Sequence, residues 1–265
     1  MKEFRWRQVS VLFAVAVTIA VNILANALPI NGQTTGEISD SFDVFFVPAG
    51  YVFSIWGLIY LGLIAYAIYQ LLPAQKENSN LMRISSPFIV SSLANIAWIF
   101  LWHYEMFALS VLVMTILLVS LILIYLRLDI GRMQVSTGMR WLVHLPFSIY
   151  LGWITVATIA NVTALLAHWN WSGWGLSPEM WTVIMLTIAA IVGGLVSFTR
   201  GDIAYAAVLV WAFIGIAVKQ SDSSTVSAAA WMATAATIIL LIIGTYRHRR
   251  FLQRVQPAIE RGSNG

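Results

Sequence analysis

The stretch YVFSIWGLIYLG at residues 51–62 has the composition of a membrane-spanning helix, because nearly every residue in it is apolar. Its three large rings, Phe53, Trp56 and Tyr60, recur at intervals of three and four residues. That spacing places them along one side of a helix. Leu and Ile alone would suffice to cross a bilayer. A face of rings, one with a hydroxyl, therefore indicates that this side meets protein or a ligand.

Composition places the whole chain in the membrane. Of its 265 residues, 60% are apolar and 10% are charged, whereas soluble domains carry roughly 25% charged residues. Apolar runs near the ~20 residues that an α-helix needs to cross the hydrocarbon recur along the chain. The sequence therefore predicts an all-α membrane protein with eight spans. These lie at about residues 8–28, 50–72, 84–103, 106–126, 142–166, 181–198, 202–219 and 225–246.

The basic residues predict the orientation. With eight spans and a cytoplasmic amino terminus, every Lys and Arg except Lys219 falls on the cytoplasmic side. Cytoplasmic loops carry this excess of positive charge, so we expect a multi-pass protein of the cell membrane with both termini inside. The sequence pI near 9.5 then follows from topology, with a basic tail at residues 251–265 near anionic lipid, and requires no nucleic-acid partner.

The residue types that are missing exclude several chemistries. The chain has no Cys, which rules out disulfides, thiol nucleophiles and Cys-ligated metals. No Asp, Glu, Lys or Arg lies near the centre of a predicted span, so the carboxylate relays that mark proton-coupled carriers are absent. Without a general acid, base or metal set at depth, the sequence does not favour an enzyme.

The predicted outer connection at residues 29–49 is long and carries acidic residues but no basic ones. Connections of this length tend to be lids or binding loops. Its rings argue against disorder; they are Phe42, Phe45 and Phe46. We expect a short helix, capped by Ser39 or Asp40, that lays these rings over the helix ends. The alternative is an interfacial segment that dips into the lipid headgroups.

Three spans carry polar or aromatic groups at matching depths. At ~1.5 Å per residue, Tyr60, Asn95 and Trp153 all lie near the middle of the bilayer. An unpaired amide or hydroxyl costs several kcal/mol there, so these groups face protein or a cavity. Interhelical hydrogen bonds alone would satisfy Asn95 and Asn161 without any ligand. That purely structural alternative stays open.

Three motifs on these spans resemble one family. They are Pro48, Trp56 and Tyr60 with seven and three residues between them, Asn95 and Trp98 with two between them, and Trp153, Ala157 and Asn161 with three between each neighbouring pair. Their order and spacing are similar to those of the TspO/MBR family, the tryptophan-rich sensory proteins related to the mitochondrial translocator protein. The resemblance covers residues 1–170. Two spacings differ. Phe53 lies three residues before Trp56, where the family Phe lies four before, and Pro146 lies seven residues before Trp153, where the family Pro lies about four before.

The resemblance implies a TspO-like five-helix transmembrane bundle with a pocket beneath the first outer connection. That pocket would accept a flat hydrophobic molecule such as a porphyrin, or a sterol as in animal relatives. Rings stack on flat ligands, and indole N–H and amide groups orient them. The expected wall residues are Trp56, Tyr60, Asn95, Trp98, Trp153, Ala157 and Asn161. The expected lid residues are Phe42, Phe45, Phe46 and Pro48.

The chain is expected to divide into a five-helix domain at residues 1–170, three additional transmembrane helices at residues 171–250, and the basic tail. The additional helices carry small residues such as Gly193 and Gly215, which let helices approach closely. These helices could wrap the five-helix core, replace a dimer contact or dock a partner. A homodimer therefore stays open.

Several functions fit this sequence. The first is a sensor or transport regulator that binds a hydrophobic planar ligand, such as a porphyrin or another tetrapyrrole. The others are a permease for lipid-like or aromatic solutes, an enzyme that degrades a bound porphyrin, and a purely structural subunit. No cofactor is expected to be required, and porphyrin or haem would enter as a bound ligand. His103 and His168 are candidate haem ligands, or simple interfacial residues.

Overall fold

Every regular element within residues 2–262 is helical. The structure is a computed structural model that describes the backbone over this range and the side chains of residues 6–247. The helices are α1 (Lys2–Ala27), α2 (Thr35–Asp40), α3 (Ile55–Leu71), α4 (Ser79–His103), α5 (Phe107–Arg127), α6 (Thr137–Met139), α7 (Leu145–His168), α8 (Pro178–Arg200), α9 (Ile203–Lys219) and α10 (Ser224–Gly262). A π-helical turn at Arg140–His144 makes α6 and α7 continuous. The side chains of the predicted basic tail lie outside the described residues.

Within the described residues, seven helical stretches are long and apolar enough to cross a membrane, and each coincides with a predicted span. They are Trp6–Ala27, Gly50–Leu71, Ser79–His103, Phe107–Arg127, Thr137–His168, Pro178–Arg200 and Ser224–Arg247. The other predicted span forms α9, an apolar helix of 17 residues. At ~1.5 Å per residue, α9 is shorter than the ~30 Å hydrocarbon core. The all-α, multi-pass membrane fold is thus confirmed, and the eighth crossing stays a prediction.

Five helices close into a ring. In this ring α1 packs against α3 and α4, α5 packs against α4 and α7, and α7 also packs against α3. At the α3–α7 contact, a Cβ added to Gly62 would lie 2.9 Å from Pro146 Cβ, so only glycine allows this approach. Between α1 and α3, the side-chain amides of Gln8 and Gln70 each donate to the backbone carbonyl of the other residue. The ring is the five-helix bundle that the resemblance implied.

The connection at residues 29–49 covers one end of this ring, and we call it the lid. Away from the lid, packed rings fill the bundle. Tyr66, Phe88 and Phe147 are fully buried, with ring centroids 5.0 to 5.9 Å apart. The interior of the bundle is therefore closely packed around these three rings.

The last three long helices form a second group that docks through α9. This helix packs against α7 of the ring and against α8 and α10. A Cβ on Gly193 would overlap the Leu209 side chain, and one on Gly194 would overlap Leu240. The small residues of α8 are thus used for close packing inside the chain.

A buried carboxylate joins α9 to the ring at the end opposite the lid. Asp202 caps α9, since its Oδ1 accepts hydrogen bonds from the backbone N–H groups of Ala204 and Tyr205, both at 3.1 Å. Its Oδ2 accepts from the hydroxyls of Tyr125 on α5, at 2.9 Å, and Ser148 on α7, at 2.7 Å. One side chain therefore holds three helices together.

Replacing Asp202 with Ala is expected to destabilise the fold strongly. The substitution removes a helix cap and leaves two buried hydroxyls without their acceptor, which together cost about 2 to 4 kcal/mol. Thermal unfolding of the purified protein in detergent measures the loss. Asp222→Ala is the control, because Asp222 is an exposed carboxylate in the α9–α10 turn. Equal melting temperatures for the two variants would contradict the assignment of Asp202 as a structural junction.

Candidate functional site

A small cavity lies beneath the lid, between α3, α4 and α7. Its volume is ≈ 50 Å³. The lining residues are Thr35, Ser39, Val47 and Pro48 of the lid, Phe53 and Trp56 at the start of α3, Trp98 and Trp102 of α4, and Trp153, Val156, Ala157, Ala160, Asn161 and Ala164 of α7. The wall is thus mainly aromatic and aliphatic, as in sites for small molecules.

The backbone before α3 explains how Phe53 reaches this cavity. Residues Gly50–Ser54 form a 3₁₀ turn, and α3 begins at Ile55. In a 3₁₀ helix, residues three apart lie directly above one another, whereas an α-helix would rotate them. The turn therefore brings Phe53 onto the same side as Trp56, although the spacing between them is one residue shorter than in the family pattern.

Aromatic rings connect α3 to α7 along the cavity wall. Trp56 stacks on Tyr60 with ring centroids 5.6 Å apart, and it meets the Trp153 ring edge to face at 6.2 Å. Phe53 also meets Trp153 edge to face, at 5.8 Å. These are favourable aromatic geometries. Tyr60 lies one turn further from the lid and does not line the cavity, so its role as a ligand contact stays a prediction.

The opposite wall is held by a hydrogen-bonded chain across three helices. Trp98 Nε1 on α4 donates to Asn161 Oδ1 on α7 at 2.9 Å, and Asn161 Nδ2 donates to Ser110 Oγ on α5 at 2.9 Å. Trp98 also stacks on Trp102 with centroids 5.6 Å apart. Trp98 and Asn161 were both predicted as wall residues, and both line the cavity. The indole N–H of Trp98 and the side-chain oxygen of Asn161 are already hydrogen-bonded to each other.

Trp153 differs from Trp98 in one respect. Its side chain is only 3% exposed, and no described group accepts a hydrogen bond from its Nε1. A buried donor without an acceptor costs about 1 to 3 kcal/mol. Since Trp153 lines the cavity, an acceptor atom on a bound molecule would relieve this cost.

Small side chains on α7 keep the cavity open. Ala157 was the predicted one, and Ala160 and Ala164 line the same wall. These positions follow one another at three and four residues, so they share a helix face. The same spacing argument, extended one turn beyond Asn161, would have identified Ala164 from the sequence.

Asn95 lies outside the cavity wall. It is fully buried, and its Oδ1 accepts a hydrogen bond from Asn22 Nδ2 on α1 at 2.6 Å. Asn22 also donates to the backbone carbonyl of Thr18. This pair is the interhelical hydrogen bond that the structural alternative described, and a ligand contact for Asn95 stays a prediction.

The lid contains the expected short helix, but the predicted cap is wrong. Helix α2 spans Thr35–Asp40 and is capped by Thr34, while Ser39 and Asp40 lie in its last turn. Thr34 and Glu37 form a reciprocal capping box, a Thr-x-x-Glu pattern that is visible in the sequence. The Thr34 backbone amide and hydroxyl hold the pKa of the Glu37 carboxyl below its ordinary value.

The lid rings pack on the bundle rather than line the cavity. Phe42 contacts the rings of Trp102 and Phe107, with centroids 6.2 and 5.0 Å away. Phe46 is fully buried, and Phe45 is partly buried against the core. Of the four predicted lid residues, Pro48 is the one that lines the cavity.

The first half of the lid is fastened to the end of α4. Both ring nitrogens of His103 are engaged: Nδ1 lies 3.0 Å from the Ile30 carbonyl oxygen, and Nε2 lies 3.0 Å from Thr35 Oγ1. Because a carbonyl oxygen only accepts, Nδ1 carries a proton. Asn31 Nδ2 donates to the His103 carbonyl at 3.0 Å, and Trp102 Nε1 donates to the Thr35 carbonyl at 3.3 Å.

These contacts bear on metal and haem binding. His103 is a lid anchor, so ligation of haem iron by His103 would require the lid to detach. His168 packs its ring against Phe107, with centroids 5.0 Å apart. Among the described residues, no group of three His, Asp or Glu side chains could hold a metal ion.

The fold and the cavity define the class of this protein, a multi-pass helical membrane protein with a tryptophan-walled cavity under a folded lid. The chain belongs to the family of TSPO-like proteins, because the model of that family matches residues 8–244. The match runs through α8 and α9 and into α10, beyond residues 1–170, which carry the motifs. Comparisons with curated proteins and with solved structures found no match.

The Trp98–Asn161 bond gives a stability test. Asn161→Leu keeps the size of the side chain but removes the acceptor of the Trp98 indole, and interhelical bonds of this kind are worth about 1 to 2 kcal/mol. We expect Asn161→Leu to lower the melting temperature in detergent. The decrease should be smaller when the substitution is made in a Trp98→Phe background. Thr158→Val on the same helix is the control, since the Thr158 hydroxyl bonds only within α7. Equal losses with and without Trp98 would contradict the pairing.

Proposed function

We propose that this protein binds a hydrophobic planar ligand, such as a porphyrin or another tetrapyrrole, in the cavity beneath the lid and acts as a sensor or transport regulator. The observation that carries the proposal is the unpaired, buried Trp153 indole N–H in a wall of rings. Rings offer stacking surfaces to a flat molecule, and the N–H offers one oriented donor. Membership of the TSPO-like family agrees with this assignment.

The size of the cavity sets a condition on binding. Sites for small molecules usually measure about 300 to 1,000 Å³, whereas this cavity measures ≈ 50 Å³. The conformation described here is therefore closed, and a porphyrin would fit only after the lid and the rings move apart. Ala157, Ala160 and Ala164 on the α7 wall have small side chains, so this wall leaves room for a ligand when the cavity widens.

Binding is favoured over passage by the packing below the cavity. The fully buried rings of Tyr66, Phe88 and Phe147 fill the bundle on the side away from the lid. A permeating solute would have to displace them. This supports a ligand that enters and leaves at the lid end, as expected for a sensor or regulator.

The proposed setting is the cell membrane, with the lid outside and both termini in the cytoplasm. The sequence asymmetry of basic residues supports this orientation. The ion pair between Lys219 and Asp40 of the acidic lid accounts for the one basic residue on the outer side.

Protoporphyrin IX is the probe for this proposal. We expect saturable binding to the purified protein, and an apparent affinity about tenfold weaker in Trp56→Phe/Trp153→Phe, because stacking area and one hydrogen bond, together worth about 1.4 kcal/mol or more, are lost. The midpoint of an absorbance titration measures this, with empty micelles as the baseline. Trp141→Phe/Trp231→Phe is the matched control, since both rings are exposed to the surroundings of the bundle.

Two results would count against the proposal. One is binding to the protein no tighter than to empty micelles. The other is an unchanged midpoint in the Trp56/Trp153 variant, which would place the porphyrin elsewhere.

A further inference from the structure

The second half of the lid is held by α9, which lies outside the five-helix ring. The backbone N–H of Ala49 donates to the carbonyl of Gly215 at 3.1 Å. Trp211 Nε1 donates to the carbonyl of Val52 at 3.3 Å. The Trp211 ring also meets the Tyr51 ring edge to face at 5.2 Å. The end of the lid and the start of α3 are thus fastened to one side of α9.

Gly215 makes this approach possible. A Cβ at this position would overlap Val52 Cγ2 and lie 3.1 Å from Pro48 Cβ. Any larger side chain would therefore have to displace Val52, and with it the neighbouring Pro48 end of the lid, from α9. Because Pro48 and its neighbour Val47 line the cavity, a shift at Gly215 would change the cavity wall directly.

Two polar contacts extend the attachment at the end of α9. Lys219 Nζ forms an ion pair with Asp40 Oδ1 at the end of the lid helix. Gln220 Nε2 donates to the carbonyl of Phe45 at 3.1 Å. The side chains of Lys219 and Asp40 are 29% and 54% exposed, so solvent screens this pair.

The two sides of the lid are held differently. On the α4 side, the anchors Trp102, His103 and Thr35 are buried. On the α9 side, the ion pair is solvent-exposed, and exposed pairs are weak and weaken further with salt. The Lys219–Asp40 pair is therefore a weak attachment compared with the buried anchors on the α4 side.

We propose that Gly215, Lys219 and Gln220 of α9 and its C-terminal turn form a latch that positions the lid over the cavity and sets how often the cavity opens to the outside. This inference rests on the proposed function in one respect, because it takes this cavity as the ligand site. It gives the helices beyond residue 170 a role, which is to control access to the pocket of the five-helix bundle.

The absence of Cys from the chain allows a direct test without any ligand. A single Cys introduced as Ala157→Cys lies in the cavity wall, and the proposal predicts that a charged, water-soluble methanethiosulfonate reaches it faster when the lid opens. If opening and closing are fast compared with labelling, the labelling rate reports the open fraction. A second background, Ser172→Cys, lies in an exposed connection outside the lid and reports the intrinsic rate.

In the Ala157→Cys background, Lys219→Glu and Asp40→Lys are each expected to raise the labelling rate about two- to fivefold, the range that a partly exposed ion pair allows. The double reversal Asp40→Lys/Lys219→Glu is expected to restore the slow rate, which a general loss of stability would not do. Asp43→Lys is the matched control, because it changes the lid charge equally and leaves the Lys219–Asp40 pair in place.

Gly215→Ala tests the close approach independently of charge. It is expected to raise the labelling rate about tenfold or more, and Val52→Ala, which removes the atom that Cβ would overlap, is expected to reverse most of this increase. Equal Ala157→Cys rates in all variants, or a double reversal as fast as the single ones, would overturn the proposal. Because no porphyrin is present, these outcomes are independent of whether protoporphyrin binds.

Discussion

Polar groups at membrane depth need partners, and this constraint organises the five-helix ring. Asn22 and Asn95 join α1 to α4, and the chain of Trp98, Asn161 and Ser110 joins α4, α7 and α5. Around these hydrogen-bonded groups the interior is closely packed. Several buried polar atoms depart from this rule, among them the hydroxyls of Thr18 and Tyr66, and of these atoms the unpaired indole N–H of Trp153 belongs to the cavity wall. The account of function depends on that departure.

Much of this arrangement could be predicted from the sequence because helical periodicity and depth are both readable in it. Residues spaced three or four apart share a face, which places Trp56, Trp98, Trp153 and Asn161 inward, and all four line the cavity. Apolar runs of about 20 residues likewise predicted the membrane-spanning helices. Periodicity does not reveal which partner a deep amide takes, so Asn95 could equally have met a ligand or, as observed, Asn22.

Other features depend on local geometry or on contacts between distant segments. The 3₁₀ turn that aligns Phe53 with Trp56 changes the helical period for a few residues, and no composition signal marks it. The contacts of Gly215 and Lys219 with the lid join residues far apart in the chain, so neither pattern nor spacing could pair them. The Thr34–Glu37 cap was, by contrast, present as a recognisable motif.

The central claim is that the tryptophan-walled cavity is the ligand site. An experimental structure of the protein saturated with protoporphyrin IX tests it most directly. The account predicts an enlarged cavity with the macrocycle against the rings of Trp56 and Trp153, an acceptor atom within hydrogen-bonding distance of Trp153 Nε1, and the lid displaced from α9. A porphyrin bound on the lipid-facing surface, with the cavity unchanged, would contradict it.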